Sequence, residues 1–506
     1  MHNRTLLRAG LALCVLTLAA CAQTQTNTEQ TQETAVTGVT NEAGPPPPPP
    51  PPPPPAMLGY APPVASADAA GRGRGVTGMP YAQAVPQPMP GDIDRDRYEH
   101  ETDNPIHQVA TDPISTFSID VDSASYANVR RYLNEGRLPP RDAVRVEELI
   151  NYFHYDYPLP TRRQQPFSTT VAVTPSPWAE GRQLVHIGLQ GYNLVPRERP
   201  PLNLVLLIDV SGSMSPSDRL PLLIQAFHGM VSQLTARDKI SIVVYAGAAG
   251  SILDPTNGAE HERINAALDN LHAGGSTAGG EGLRLAYTLA ERNFSRNAVN
   301  RVVLATDGDF NVGINDPQQL QDFISHEREQ GIYLSVFGVG HNNYNDVLMQ
   351  RLAQNGNGVA SYIDTINEAR RVLHDELASN LFTIADDVKI QVEFNPARVA
   401  EYRLIGYETR MLRREDFNND RVDAGEIGAG ASVTAIYEIV PVGGRTFADP
   451  LRYQQQTAPA EGTARELAFL RIRYKLPGQS DSLLIERPIT QADNYASIGR
   501  APESTR

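Results

Sequence analysis

Leu202-Asn203-Leu204-Val205-Leu206-Leu207-Ile208-Asp209-Val210-Ser211-Gly212-Ser213-Met214 decides the fold. Its first seven residues form an almost unbroken apolar run of strand length, too short for a core helix and lacking the alternation of a strand with one wet face. Such a strand is buried on both sides, as in a parallel sheet covered by helices. Three more runs of the same kind follow at 240–245, 301–305 and 332–337. Helical periodicity fills the intervals at 220–234, 282–292, 317–330 and 345–353, and a closing helix is expected over 368–380. Strands alternating with helices of ten or more residues predict a doubly wound, mostly parallel α/β domain over residues 201–383, with helices on both faces.

Outward from this core the pattern changes. Toward the N-terminus, residues 116–121 read as a strand, Asp122 or Ser123 as the cap of a helix running to about 134, and 141–153 as a second helix. Alternating stretches at 169–174 and 183–189 complete a small mixed domain over 113–200. Beyond 384 the alternation recurs without helices at 388–394, 402–407, 432–440 and 467–474, giving a β-rich domain over 384–490 and a tail at 491–506. β-rich segments on both sides of the α/β unit are expected to form one sandwich-like body into which it is inserted.

The first twenty residues have the form of a signal peptide. Arg4 and Arg8 precede an apolar stretch ending in Leu18-Ala19-Ala20-Cys21, too short to span a membrane. The ending resembles the box cut by the bacterial lipoprotein signal peptidase, so Cys21 is expected to carry the lipid, and Ala22 after it implies delivery to the outer membrane. Cys14, the only other cysteine, falls in the removed segment, leaving no thiol for a disulfide or a zinc site. Residues 21–112 read as a disordered linker. It is Thr/Gln-rich at first, then stiffened by eleven prolines at 45–55, about 34 Å of polyproline II helix. A net charge of -14 argues against nucleic acid, whose binding rests on phosphate neutralisation.

The chemistry sits where the apolar strands end. Asp209-Val210-Ser211-Gly212-Ser213 is a DxSxS pattern at the carboxyl edge of the sheet, where open α/β sheets bind ligands. A glycine-rich loop at 274–280 offers the hydroxyl of Thr277, and Thr306-Asp307-Gly308 follows the run at 301–305. Two carboxylates and three hydroxyls are all hard oxygen donors, suited to Mg²⁺, with Mn²⁺ or Ca²⁺ as alternatives. If mainly neutral hydroxyls touch the ion, it keeps positive charge and an open position for a carboxylate from another protein.

Asp209, Ser211, Ser213, Thr277 and Asp307 resemble, in order and type, the metal-ion-dependent adhesion site of von Willebrand factor type A domains. The resemblance extends over about 201–382 and implies direct ligation by Ser211, Ser213 and Thr277 with Asp209 and Asp307 in support. The flanks, with Phe117-Ser118-Ile119-Asp120-Val121-Asp122 and Asp423-Ala424-Gly425-Glu426-Ile427, resemble a group of bacterial lipoproteins built around such a domain, although the C-terminal region is shorter than that group's pattern.

Other motifs are weaker. The segment 416–426 imitates a calcium loop but has Arg421 where the glycine belongs, and reads as a solvated acidic hairpin loop. Gly338-Val339-Gly340 lacks the third glycine of a dinucleotide loop and reads as a tight turn, so no nucleotide is expected. Asp120-Val121-Asp122 is read as helix capping. Ser276 lacks the GxSxG of a nucleophile elbow, and no histidine base can be paired with it. The expectation is therefore a non-catalytic, metal-dependent adhesion module holding an Asp or Glu of a protein partner, on an envelope protein anchored through Cys21. A scaffold with an unused site and, further off, a hydrolase are the alternatives.

Overall fold

The computed structural model describes residues 95–162, 165–195, 197–275, 279–308, 310, 317–449 and 465–506. In chain order its strands are β1 (His107–Gln108), β2 (Ile114–Ser118), β3 (Phe167–Pro175), β4 (Gln183–Gly191), β5 (Leu202–Asp209), β6 (Lys239–Tyr245), β7 (Ala249–Asn257), β8 (Val299–Thr306), β9 (Ile332–Val339), β10 (Ala360–Ile363), β11 (Thr383–Phe394), β12 (Val399–Ile405), β13 (Ile427–Gly428), β14 (Ser432–Pro441), β15 (Glu466–Lys475) and β16 (Leu483–Thr490). The α-helices are α1 (Ala124–Asn134), α2 (Val146–Asn151), α3 (Leu220–Val231), α4 (His261–Asp269), α5 (Gly279–Arg292), α6 (Pro317–Glu329), α7 (Asp346–Asn355), α8 (Ile366–Arg370) and α9 (Leu377–Leu381).

The apolar runs form the predicted sheet. Its order is β10-β9-β8-β5-β6-β7, parallel except for β7, which pairs antiparallel with β6. All eight residues of β5 are buried, which is why the run shows no alternation. β7, the short β10 and helix α4 escaped the sequence reading: an exposed edge strand such as β7, with much of its length in contact with solvent, has no continuous apolar run to reveal it.

The flanks share two sheets. In one, β1-β12-β14-β4-β3, the N-terminal β4 pairs with the C-terminal β14; in the other, β13-β11-β15-β16, the N-terminal β2 also pairs with β11. Their facing sides meet through aromatic rings. Phe394 of β11 stacks on Tyr402 of β12 at 4.4 Å, Phe117 of β2 approaches Tyr437 of β14 at 6.2 Å, and Phe167 of β3 meets Tyr474 of β15 at 5.0 Å. The α/β domain is inserted between β4 and β11 of this sandwich, and Arg199 before β5 lies over the ring of Phe382 after α9 at 5.6 Å, so the insertion's entry and exit are adjacent.

Several expectations are corrected. The linker expected over 21–112 is structured from residue 95: Arg97 bridges to Asn345, and Asp96 accepts from the backbone of Tyr344 and from Arg131. Ser123 stands at the N-cap position of α1 as expected, but its side chain makes no capping hydrogen bond. Asp122 accepts instead from the backbone of Ala360 at 2.8 Å and pairs with Arg410, which also holds Asp120, while Ser123 accepts from Arg371. The helix expected over 141–153 is a 3₁₀ turn at Arg141–Ala143 followed by α2, separated by an extended Val144. The closing helix breaks into α8, a π turn at Arg371–Asp375 and α9. The tail at 491–506 is folded, with Tyr495 donating to Val173 and Ala501 buried.

Candidate metal centre

β5 is the hub of the sheet: the chain leaves it toward β6 on one side and later pairs β8 on the other. The carboxyl ends of β5 and β8 thus flank a switch point, where loops diverge and leave a crevice. Asp209 ends β5 and Asp307 follows β8, both fully buried. One Asp209 oxygen accepts from the backbone of Ser211 at 2.8 Å and the other from the Thr306 hydroxyl at 3.2 Å. These bonds turn the chain so that the Ser211 and Ser213 hydroxyls lie 3.0 Å apart.

The third loop is drawn in by backbone bonds. Gly212 donates to the carbonyl of Gly275 at 3.1 Å, and Gly274 donates to that of Val210 at 2.7 Å. Thr277 lies two residues beyond, outside the described residues, as does Ser276. Cys21 is likewise outside them.

Electrostatics fit a cation. Burial pushes the Asp209 carboxyl up to about 6, the nearby Asp307 charge adds to the rise, and the hydrogen bonds from Ser211 and Thr306 oppose it. Two buried carboxylates beside paired hydroxyls make a hard-oxygen donor set that a divalent ion would satisfy. Asp209, Ser211, Ser213 and Asp307 would hold it, and the ion would supply a positive pole for an anionic partner.

One residue was missed. Arg219, at the start of α3, makes an ion pair with Asp307 and donates from the same nitrogen to the Ser213 carbonyl at 3.0 Å; its other terminal nitrogen donates to the His341 carbonyl at 2.8 Å. Gly340 makes room for it: at φ +74°, a Cβ there would meet the Arg219 Nε at 2.3 Å. A cation at a helix N-terminus opposes the helix dipole, and that misfit was the available signal that Arg219 serves something else. Gly308, at φ +104°, lets the Asp307 loop press on the loop before α7, where a Cβ would meet the Asn343 carbonyl at 2.5 Å.

The weaker motifs fall elsewhere. Lys389 pins the acidic loop by donating to the carbonyls of Asp416 and Asn419, and Asp420 pairs with Arg473. Among the described residues no group of three or more His, Cys, Asp or Glu side chains is placed to hold a metal; the centre at Asp209 relies on hydroxyls.

A switch-point crevice with these donors defines the class, and the comparisons agree: the family model of the von Willebrand factor type A domain matches residues 203–375. A model described as von Willebrand factor matches 92–186, and one described as the C-terminal part of uncharacterized protein YfbK matches 379–504. The uncharacterized protein YfbK of Escherichia coli (strain K12) is 48% identical over 408 residues, which cover 79% of this chain and 71% of that protein. The chain belongs to the YfbK family. The uncharacterized protein sll0103 of Synechocystis is 28% identical over 171 residues, 34% of this chain and 40% of that one. Among solved structures, a von Willebrand factor type A protein from Catenulispora acidiphila is similar over 64% of this chain and 72% of its own, at 15% identity and a TM-score of 0.40.

Proposed function

We propose that the α/β domain is a metal-dependent protein-binding module that captures an Asp or Glu side chain of a partner on a divalent ion, Mg²⁺ first among candidates, and that it catalyses no reaction. The observation that carries this reading is the convergence of buried Asp209 and Asp307 with the Ser211 and Ser213 hydroxyls at one sheet edge. Hydroxyl donors leave the ion's charge largely uncancelled, and an outside carboxylate supplies what is missing. The N-terminal segment supports the rest of the reading: export, lipidation at Cys21 and a place at the bacterial envelope, probed by labelling with a lipid precursor in cells carrying Cys21→Ser. No helix among the described residues is long and apolar enough to cross a membrane.

A second reading, a non-catalytic envelope scaffold with an unused site, is favoured by one observation: Asp307 already has a cation in Arg219. Calorimetric titration of Mg²⁺ and Mn²⁺ into the protein and its Asp209→Ala variant separates the two. A saturable site lost in the variant, together with partner capture abolished by EDTA, supports adhesion. Heat absent from both, with interactions indifferent to EDTA, supports the scaffold.

A further inference from the structure

Away from the sheet edge, on the flank of α7, a cleft of about 250 Å³ opens between the α/β domain and the segments carrying Glu99, Arg141, Val146 and Glu408. Its size is just under the roughly 300–1,000 Å³ of small-molecule sites, enough for one small ligand or one side chain.

Its charges do not balance. Each arginine in the lining already has an acid: Arg141 pairs with Asp103 at 2.5 Å, Arg351 with Glu99 at 2.8 Å, and Arg145 with Asp346 at 2.5 Å. Four further carboxylates line the same space, Glu101, Asp142, Glu147 and Glu408, and among the described residues none of them makes an ion pair with an arginine or lysine, although Asp142 lies within reach of the Arg141 charge. Asp142 meets the His100 ring and Glu408 the backbone of Asn104.

Glu147 is the anchor. It is 1% exposed, one carboxylate oxygen accepts from the backbone of Tyr407 at 2.9 Å, and the other, though buried, has no hydrogen-bond partner. Buried polar atoms are almost always satisfied, so this oxygen calls for a donor that the described residues do not supply. Valines 144, 146 and 347 make part of the wall apolar, which suits a cation carried on methylenes better than a bare metal ion.

We propose that this cleft binds an alkylammonium group, presented by a free diamine or by a lysine side chain of a peptide, with the ammonium donating to Glu147 and the methylenes lying along the valines. Burial pushes the Glu147 carboxyl up to about 7, with the Asp120 and Glu148 charges adding to the rise; an adjacent ammonium would favour its ionised form.

The test is calorimetric titration of 1,5-diaminopentane and of a capped glycine-lysine-glycine peptide into the full chain, with 1-pentanol as the uncharged control. Saturable binding of either amine, weakened at least tenfold in Glu147→Gln and absent for pentanol, is expected. Preference for the diamine or for the peptide identifies the source. Glu147→Gln keeps an oxygen for the Tyr407 bond; should circular dichroism show that it has not folded, the rim variant Glu101→Gln/Glu408→Gln, at one exposed and one half-buried position, takes its place, with a severalfold loss expected. No saturable binding of either amine, or binding undiminished in the folded variant, overturns the proposal. Asp209→Ala should bind amines as the parent does, so failure of the metal reading would leave this result unmoved.

Discussion

Arg219 and Asp307 form an ion pair in which the carboxylate is fully buried and the guanidinium is 12% exposed. The pair lies across two loops of the metal centre, so one of its two acids is already neutralised. Arg219→Met would remove the guanidinium that compensates the buried Asp307 charge, which typically costs about 3–5 kcal/mol. The variant should therefore lose stability in urea unfolding without added ion. It should also bind Mg²⁺ at least tenfold more tightly, because the freed charge faces the ion at short range. Unchanged stability would show that the pair is dispensable and that Arg219 is not the organiser of these loops.

Gly308→Ala tests the loop contact independently. Its Cβ would strike backbone atoms of Asn343 and Asn345 at 2.5 and 2.7 Å, and φ is positive. A loss of about 1–3 kcal/mol is expected, with weaker Mg²⁺ binding because Asp307 must shift. An ion affinity equal to the parent's would mean that the position of Asp307 matters little.

Arg410 bonds Asp120 at 3.1 Å and Asp122 at 3.0 Å, and Asp122 also takes the backbone N–H of Ala360 in the inserted domain. Arg410→Met leaves two buried acids uncompensated and should destabilise the chain by about 3–5 kcal/mol. Adding Asp120→Asn and Asp122→Asn should recover part of that loss. If the triple variant is no better than the single one, the damage is steric and not electrostatic.

His186 of β4 is buried against the Tyr157 hydroxyl and faces the Tyr155 ring; burial pulls its imidazole down to about 4. A depressed imidazole favours the neutral form in the folded state. Its contribution is intact above pH 6.5 and fades as pH falls toward 4, by up to about 3 kcal/mol. Glu147 and Asp386, both raised to about 7 by burial, act in the opposite sense over the same window. The reading is therefore the stability gap between the parent and His186→Gln, which should shrink or reverse between pH 7.5 and 4.5. A gap constant with pH would contradict the neutral, buried imidazole.

Much of the architecture was legible because the inserted domain announces itself twice, in continuous apolar runs and in the acid and hydroxyls that end them. Asp209, Ser211, Ser213 and Asp307 could be read as one centre since each ends a buried strand or sits within four residues of such an end. Arg219 could not, because its partner lies 88 residues away and no local periodicity links them. Asp122 misled for the opposite reason. A capping position is explained by local sequence, yet the bond it makes is to Ala360, 238 residues on. The pairings of β4 with β14 and of β2 with β11 were guessed only as a shared body, as alternation gives a strand its faces but not its neighbour.

The adjacency of Arg199 and Phe382 at the root of the insertion has a consequence for how the chain acquires its structure. β3 and β4 can pair as soon as they exist, but β4 must wait for β14, and β2 for β11, until the whole α/β domain has passed. While that domain is unfolded, closing so long a loop is entropically costly and slow. Once it has folded, its two ends are held side by side and the remaining strands meet as if joined by a short turn. The inserted domain thus sets the order of assembly, and a lesion at Asp209 or Gly308 that delayed its folding would leave the edge of β4 open to wrong partners, a defect visible as aggregation during refolding even where the finished protein is stable.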